Sequence, residues 1–266
     1  MSSKERSGYT PQEAQLPDKE TYDVAGPVRY IRKVEANPKK LEKFTRAASG
    51  RAEDIFESGK IAERIHEGDK VLYLGTGTGH VAKYIEDHTG AKVFKFDLAD
   101  LRTPDTKDNK FAKANARHIP VADSSLDVVC LMDILHHTNN QEEILREVKR
   151  VLKPGGKCLL MEDTVPEEFQ RGAGFKKWLV GKMDDTFNQQ PKGINPHNYR
   201  SISEWESVLR KEGYVVDDNK TNSWHWGIPD FMGADRRKRP PKPTTFRPFQ
   251  ATMFEVVKPS GKNNEV

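Results

Sequence analysis

VLYLGTGTGH, Val71 to His80, passes from four apolar residues into a glycine-rich turn. A short apolar run without polar alternation reads as a buried strand. Glycines at 75, 77 and 79 let the backbone turn sharply and approach a ligand closely. A helical pattern follows, with Val81, Tyr84 and Ile85 on one face, and Gly90 stops it. Strand, glycine turn and helix in that order mark either a nucleotide-like site or simply a tight turn. The spacing is G-x-G-x-G. His80 stands where the third glycine of the nicotinamide or flavin fingerprint, G-x-G-x-x-G, would fall.

Working outward, apolar runs continue to alternate with helical patterns. Lys92 to Phe96 is a second strand ended by Asp97, Phe111 to Asn115 a third, Leu126 to Met132 a fourth and Lys157 to Met161 a fifth. Tyr214 to Val216 and Thr252 to Val257 supply the last two. Between the fourth and fifth strands Asn140 is placed to cap a helix, with Glu143 three residues on for the reciprocal bond. Ile144, Leu145, Val148, Val151 and Leu152 form its stripe, and Pro154-Gly155-Gly156 stops it. Another helix starts after Ser203, with Glu206 three residues on, Trp205, Val208 and Leu209 inward and Gly213 at its end. Such alternation implies an α/β fold, a mostly parallel sheet covered on both faces that binds ligands outside the carboxyl ends of its strands.

Upstream, Pro38 to His66 is helical, with Leu41, Phe44, Ile55, Ile61 and Ile65 apolar and Gly50 and Gly59 breaking the pattern into pieces. The expected organisation is a disordered segment over 1–22, a helical segment over 23–68, the main domain over 69–258 and a flexible tail over 259–266. Two stretches, about 164–200 and 219–250, escape the alternation and are expected to form a lid.

Hydrophobic residues are 35% of the 266, concentrated where this core is expected, and the formal charge of +4 is too small to demand a polyanionic partner. The run Arg236-Arg237-Lys238-Arg239 with Lys242 leaves a nucleic-acid contact open through loop 236–242. Cys130 and Cys158 lie in apolar strands, which excludes a disulfide framework. Nothing resembles a signal peptide or a membrane span, so the expected location is cytoplasmic. Oligomeric state is not legible.

Asp97 strengthens the ligand reading, because a carboxylate beside the glycine turn can accept both hydrogens of a ribose diol. With it, VLYLGTGTGH, VFKFDLAD (Val93 to Asp100), the long stretch from Asn115 to Asp163 that contains DSSLDVV and VLKPGG, and YRSISEWESVLRKEGYVV (Tyr199 to Val216) resemble the class I S-adenosylmethionine-dependent methyltransferases, of the broad small-molecule type. The resemblance implies a Rossmann-like three-layer sandwich with a seven-stranded, mostly parallel sheet whose last strand is antiparallel. It implies S-adenosylmethionine as donor and S-adenosylhomocysteine as product. It places Gly75, Thr76, Gly77 and Gly79 beneath the methionine part, Asp97 on the ribose, Leu98 against adenine, Asn115 and Ala116 at the adenine edge, and Asp133 near the methionine amino end. Two positions depart from the pattern: Tyr73 stands where an acid is common, and Asn115 where Asp is common.

Methyl transfer is a direct displacement on a carbon the sulfonium already activates, so the protein must align the reactants and exclude water. His136 and His137 follow the fourth strand and are the candidate bases. Glu162 and Asp163 end the fifth strand, where one could orient a histidine or pair with a nearby Lys or Arg; these four residues lack the spacing of a metal site, and no metal is expected. Arg171, Trp178, Tyr199, Trp224 and Trp226 are the candidate acceptor contacts, with Lys176, His225 and Phe231 beside them. Tyr30 and Arg32 are the upstream residues placed to close over the donor. The leading expectation is transfer to an O, N or C atom of a small molecule. An RNA or protein acceptor, and a non-catalytic donor-binding partner protein, stay open.

Overall fold

The computed structural model describes residues 24–165, 198–224 and 250–260. Two helices, α1 (Ala25–Glu35) and α2 (Pro38–Ser58), precede β1 (Lys70–Leu74), α3 (His80–Thr89), β2 (Lys92–Asp97) and β3 (Phe111–Lys113). Then come β4 (Leu126–Met132), α4 (Gln141–Val151), β5 (Leu152–Thr164), α5 (Ile202–Lys211), β6 (Val215–Val216), β7 (Asn222–Trp224) and β8 (Gln250–Val257). Seven strands form a sheet in the order β3-β2-β1-β4-β5-β8-β6. The first five run parallel, and β8 is antiparallel to both β5 and β6.

The alternation of side chains along each strand sorts the core into two layers. Leu72 and Leu74 of β1 face a cluster with Leu131, Leu160 and Phe254, closed by Leu145 and Val148 of α4 and Trp205 and Leu209 of α5. Val71 and Tyr73 face the other side, with Val93, Cys130 and Met161, closed by Ile55 and Phe56 of α2 and Ala82 and Ile85 of α3. The sheet is therefore the middle layer of three. Cys130 and Cys158 are buried free thiols on opposite faces, and burial pushes both of their pKa values up.

Several local expectations are corrected. Gly50 does not break α2, which runs through it; nothing crowds that position, and burial of Ala52, Ile55 and Phe56 outweighs one glycine's entropy cost. Asn140 precedes α4 without a side-chain cap; its N–H donates to Thr138 Oγ1 at 3.0 Å, while Glu143 accepts from Arg117 Nε at 2.6 Å. The capping box at Ser203 and Glu206 sits two residues earlier, at Ser201 and Glu204, where both reciprocal bonds form. Pro154-Gly155-Gly156 lies inside β5 rather than after a helix, bent where Gly155 takes a positive φ of 78° and donates to Lys258 O. Within the expected 219–250 lid, β7 adds an eighth strand by pairing with β8. Its Asn222 binds the buried guanidinium of Arg64, which also donates to Lys220 O and lies 3.8 Å from Glu255 of β8.

Candidate functional site

The carboxyl ends of β1, β2, β4 and β5 meet at one edge of the sheet, and the site is built there. The turn after β1 is closed by Gly75 and Thr76 N–H groups donating to Phe96 O on β2. Gly75 has φ 68°, and a Cβ on it would lie 2.4 Å from Ile134 Cγ2, so this glycine lets the turn pack on the segment after β4. Gly79 has φ 85°, and a Cβ there would meet Thr106 Oγ1 at 2.8 Å. Thr106 Oγ1 in turn donates to Thr78 O at 2.6 Å, pinning the loop after β2 beneath the turn. Gly77 differs: its φ is 52°, and among the described residues a Cβ would have nothing within 4 Å. No described residue covers the backbone there. Thr76 turns away, its hydroxyl buried against Tyr73 O and Phe96 O.

Asp97, ending β2, accepts from Gly77 N at 2.7 Å through Oδ2 and from Ala99 N at 3.4 Å through Oδ1. Burial raises its pKa, against the pull of those N–H donors. Leu98 is half-buried beside it, and the Asn115 carbonyl accepts from Arg117 N at 3.0 Å in its own turn. Ala116 packs on the core next to it.

Asp133 follows β4 with a φ of 54°, a conformation costly for a non-glycine residue. Its Oδ1 is buried and makes no hydrogen bond, while its Oδ2 accepts from Arg51 Nη2 on α2. Burial pushes its pKa up to about 8, reinforced by Asp163, and Arg51 only partly opposes this. Tyr73 is buried beneath, in the second core layer.

Glu162 is fully buried near the end of β5. Its Oε1 accepts from the N–H groups of Ile134 at 3.1 Å and Leu135 at 2.7 Å, and its Oε2 from His136 N at 3.4 Å. His136 Nδ1 lies 2.5 Å from the same Oε2. One carboxylate thus gathers the whole single-turn helix that carries both histidines. Tyr199 stacks on His136 with centroids 5.1 Å apart. His137 is half-buried, its ring 3.9 Å from that of His136.

A family model described as "Methyltransferase domain" matches residues 72–160. The structure of the YcgJ protein from Bacillus subtilis superposes with a TM-score of 0.57 at 18% identity, covering 79% of this chain and 99% of that one. Residues 72–160 thus match a methyltransferase-domain model, on a fold shared with that structure. Methyltransferase GfsG of Streptomyces halstedii is 26% identical over 139 residues, 48% of this chain and 49% of that protein. Hybrid PKS-NRPS synthetase LUC5 of a Fusarium species is 28% identical over 185 residues, 63% of this chain. The chain spans 4% of LUC5's length and 7–8% of the next two fungal synthases'.

The fold brings most of the described sequence-derived candidates to one edge of the sheet. Gly77 is uncrowded and donates to Asp97, Asp133 follows β4 at the same edge, and Gly75, Gly79 and Thr76 build the turn. His136 is buried and bonded, leaving His137 the more exposed histidine. Tyr199 is buried against His136, and Trp224 packs on the second core layer from β7. Arg171, Trp178, Trp226, His225, Phe231 and loop 236–242 lie outside the described residues. Arg51 reaches Asp133 from the upstream helices, and Tyr30 packs edge-on against Phe44 at 6.0 Å. No motif marks Arg51 in the sequence.

Proposed function

We propose that this chain transfers a methyl group from S-adenosylmethionine to an oxygen, nitrogen or carbon atom of a small-molecule acceptor. The observation that carries this reading is the uncrowded Gly77, whose N–H donates to the Asp97 carboxylate, at the same sheet edge as the unsatisfied Asp133 Oδ1. Those groups fit the donor: a bare backbone for close approach, a carboxylate for the ribose hydroxyls and a buried carboxylate oxygen for an ammonium. Leu98 lies against the adenine, with Ala116 and the Asn115 amide at its edge. The bound donor supplies a methyl group already activated by its sulfonium.

The chain's residues supply alignment and exclusion of water. Glu162 is a positioning residue, since a carboxylate accepting from His136 Nδ1–H fixes that imidazole's tautomer. His136 and Tyr199 then hold the turn, and His137 is the side chain assigned to the acceptor proton.

Incubation with donor carrying a labelled methyl group and fractionated lysate tests the reading. Label in small molecules is the expected outcome. Label in RNA or protein would move the acceptor to a macromolecule, and loop 236–242 would be the place to look. Asp97→Ala should weaken donor binding about 10- to 100-fold, the worth of charge-assisted hydrogen bonds. Unchanged affinity by calorimetry would remove Asp97 from the site.

A further inference from the structure

Arg51 lies on α2, 82 residues from Asp133 in sequence, and its Nη2 donates to Asp133 Oδ2. The contact is not what anchors the helix, because Ile55 and Phe56 bury α2 against the sheet. Arg51 is 42% exposed and Asp133 17%, so the pair sits at the mouth of the site rather than in the core. The phenol of Tyr73 lies within electrostatic reach of Asp133, Arg51 and Asp97, which places all three charges around the ends of β1, β2 and β4. Tyr73 also leaves β1 without a carboxylate where the family commonly has one, so Asp133 is the carboxyl that faces Arg51.

A zwitterionic amino acid presents one charge of each sign a few ångströms apart. Asp133 Oδ1, buried and without a hydrogen-bond donor, suits its ammonium. A planar guanidinium matches its carboxylate with two parallel hydrogen bonds. We propose that Arg51 binds the carboxylate of the donor's amino acid end while Asp133 holds its ammonium. Without ligand, burial favours the protonated carboxyl of Asp133 and Arg51 opposes it. With it, the ammonium adds to the pull of Arg51, Asp133 gives up its proton, and each side chain faces the opposite charge of the zwitterion. The inference rests on the donor-site reading above and adds α2 to that site.

The test is calorimetry on the full chain with two ligands, S-adenosylhomocysteine and methylthioadenosine, which share the nucleoside but differ in the amino acid end. Arg51→Gln should weaken S-adenosylhomocysteine about 10- to 100-fold and methylthioadenosine less than about twofold. Arg51→Lys, which keeps the charge and loses the fork, should fall between. Equal weakening of both ligands would overturn the proposal by showing that Arg51 acts through the fold. Tighter binding of S-adenosylhomocysteine would overturn it by showing that Arg51 merely competes for Asp133. Binding of neither ligand to the unaltered chain would overturn the donor-site reading itself.

Discussion

Asp133 carries three costs at once: a positive φ, a buried oxygen without a hydrogen bond, and a pKa pushed up to about 8. The sign of its pH effect follows. In the unfolded chain it ionises in the ordinary carboxylate range, while in the fold burial holds the proton. Between those two values folding takes up a proton, so the ionised side chain costs the fold increasingly as pH rises. Asp133→Asn should therefore gain stability relative to the original chain as pH climbs from about 4 to about 8. Denaturant melts across that range check it, and a pH-independent difference would show that Asp133 does not titrate there. Asp97 was legible because it sits at a fixed distance from the glycine turn. An acid ending β5 that orients a histidine was legible as one option, but which acid and which histidine was not, since only the packing of β5 against the turn after β4 joins Glu162 to His136. Arg51 was invisible, because a lone arginine on a helix surface has no local signal.

At the scale of elements, the glycine turn separates fold from ligand contact. Gly75→Ala strains φ and drives a methyl group into Ile134, so it should lower stability by about 2–4 kcal/mol. Gly77→Ala strains φ alone and should cost about 1 kcal/mol, while its methyl group fills the open space and weakens the donor. Thermal melts paired with donor titration separate the two; equal effects on both readouts would remove the distinction. Ser201→Ala should cost α5 about 1 kcal/mol by breaking its capping box, whereas Ser203→Ala should cost little. Both serines have a glutamate three residues on, so sequence periodicity alone was ambiguous between them. The major strands were legible because each is an apolar run. Asn222-Ser223-Trp224 has too little apolar character to announce a strand and forms one because β8 offers it an edge.

At the scale of the whole molecule, Arg64 joins the segment before β1 to β7 and β8. It is 5% exposed and faces Glu255, itself 7% exposed, so removing one leaves the other's charge buried. Arg64→Ala should cost about 3–5 kcal/mol and be insensitive to salt, unlike a surface pair. Replacing Arg64 and Glu255 together by methionine should restore much of that loss. Chemical denaturation of the single and double variants would show it, and additive losses would deny that the two charges are coupled.

The last strand in sequence, β8, is not the last in space: it lies between β5 and β6 and also carries β7. A chain leaving the ribosome must hold β5 with a bare edge until residue 257 has emerged. Unpaired strand edges recruit other chains, so aggregation during synthesis should concentrate on this edge. The same geometry makes residues 250–257 a detachable keystone. A fragment ending before Gln250 should stay incomplete by itself and be repaired by a separate peptide carrying that strand.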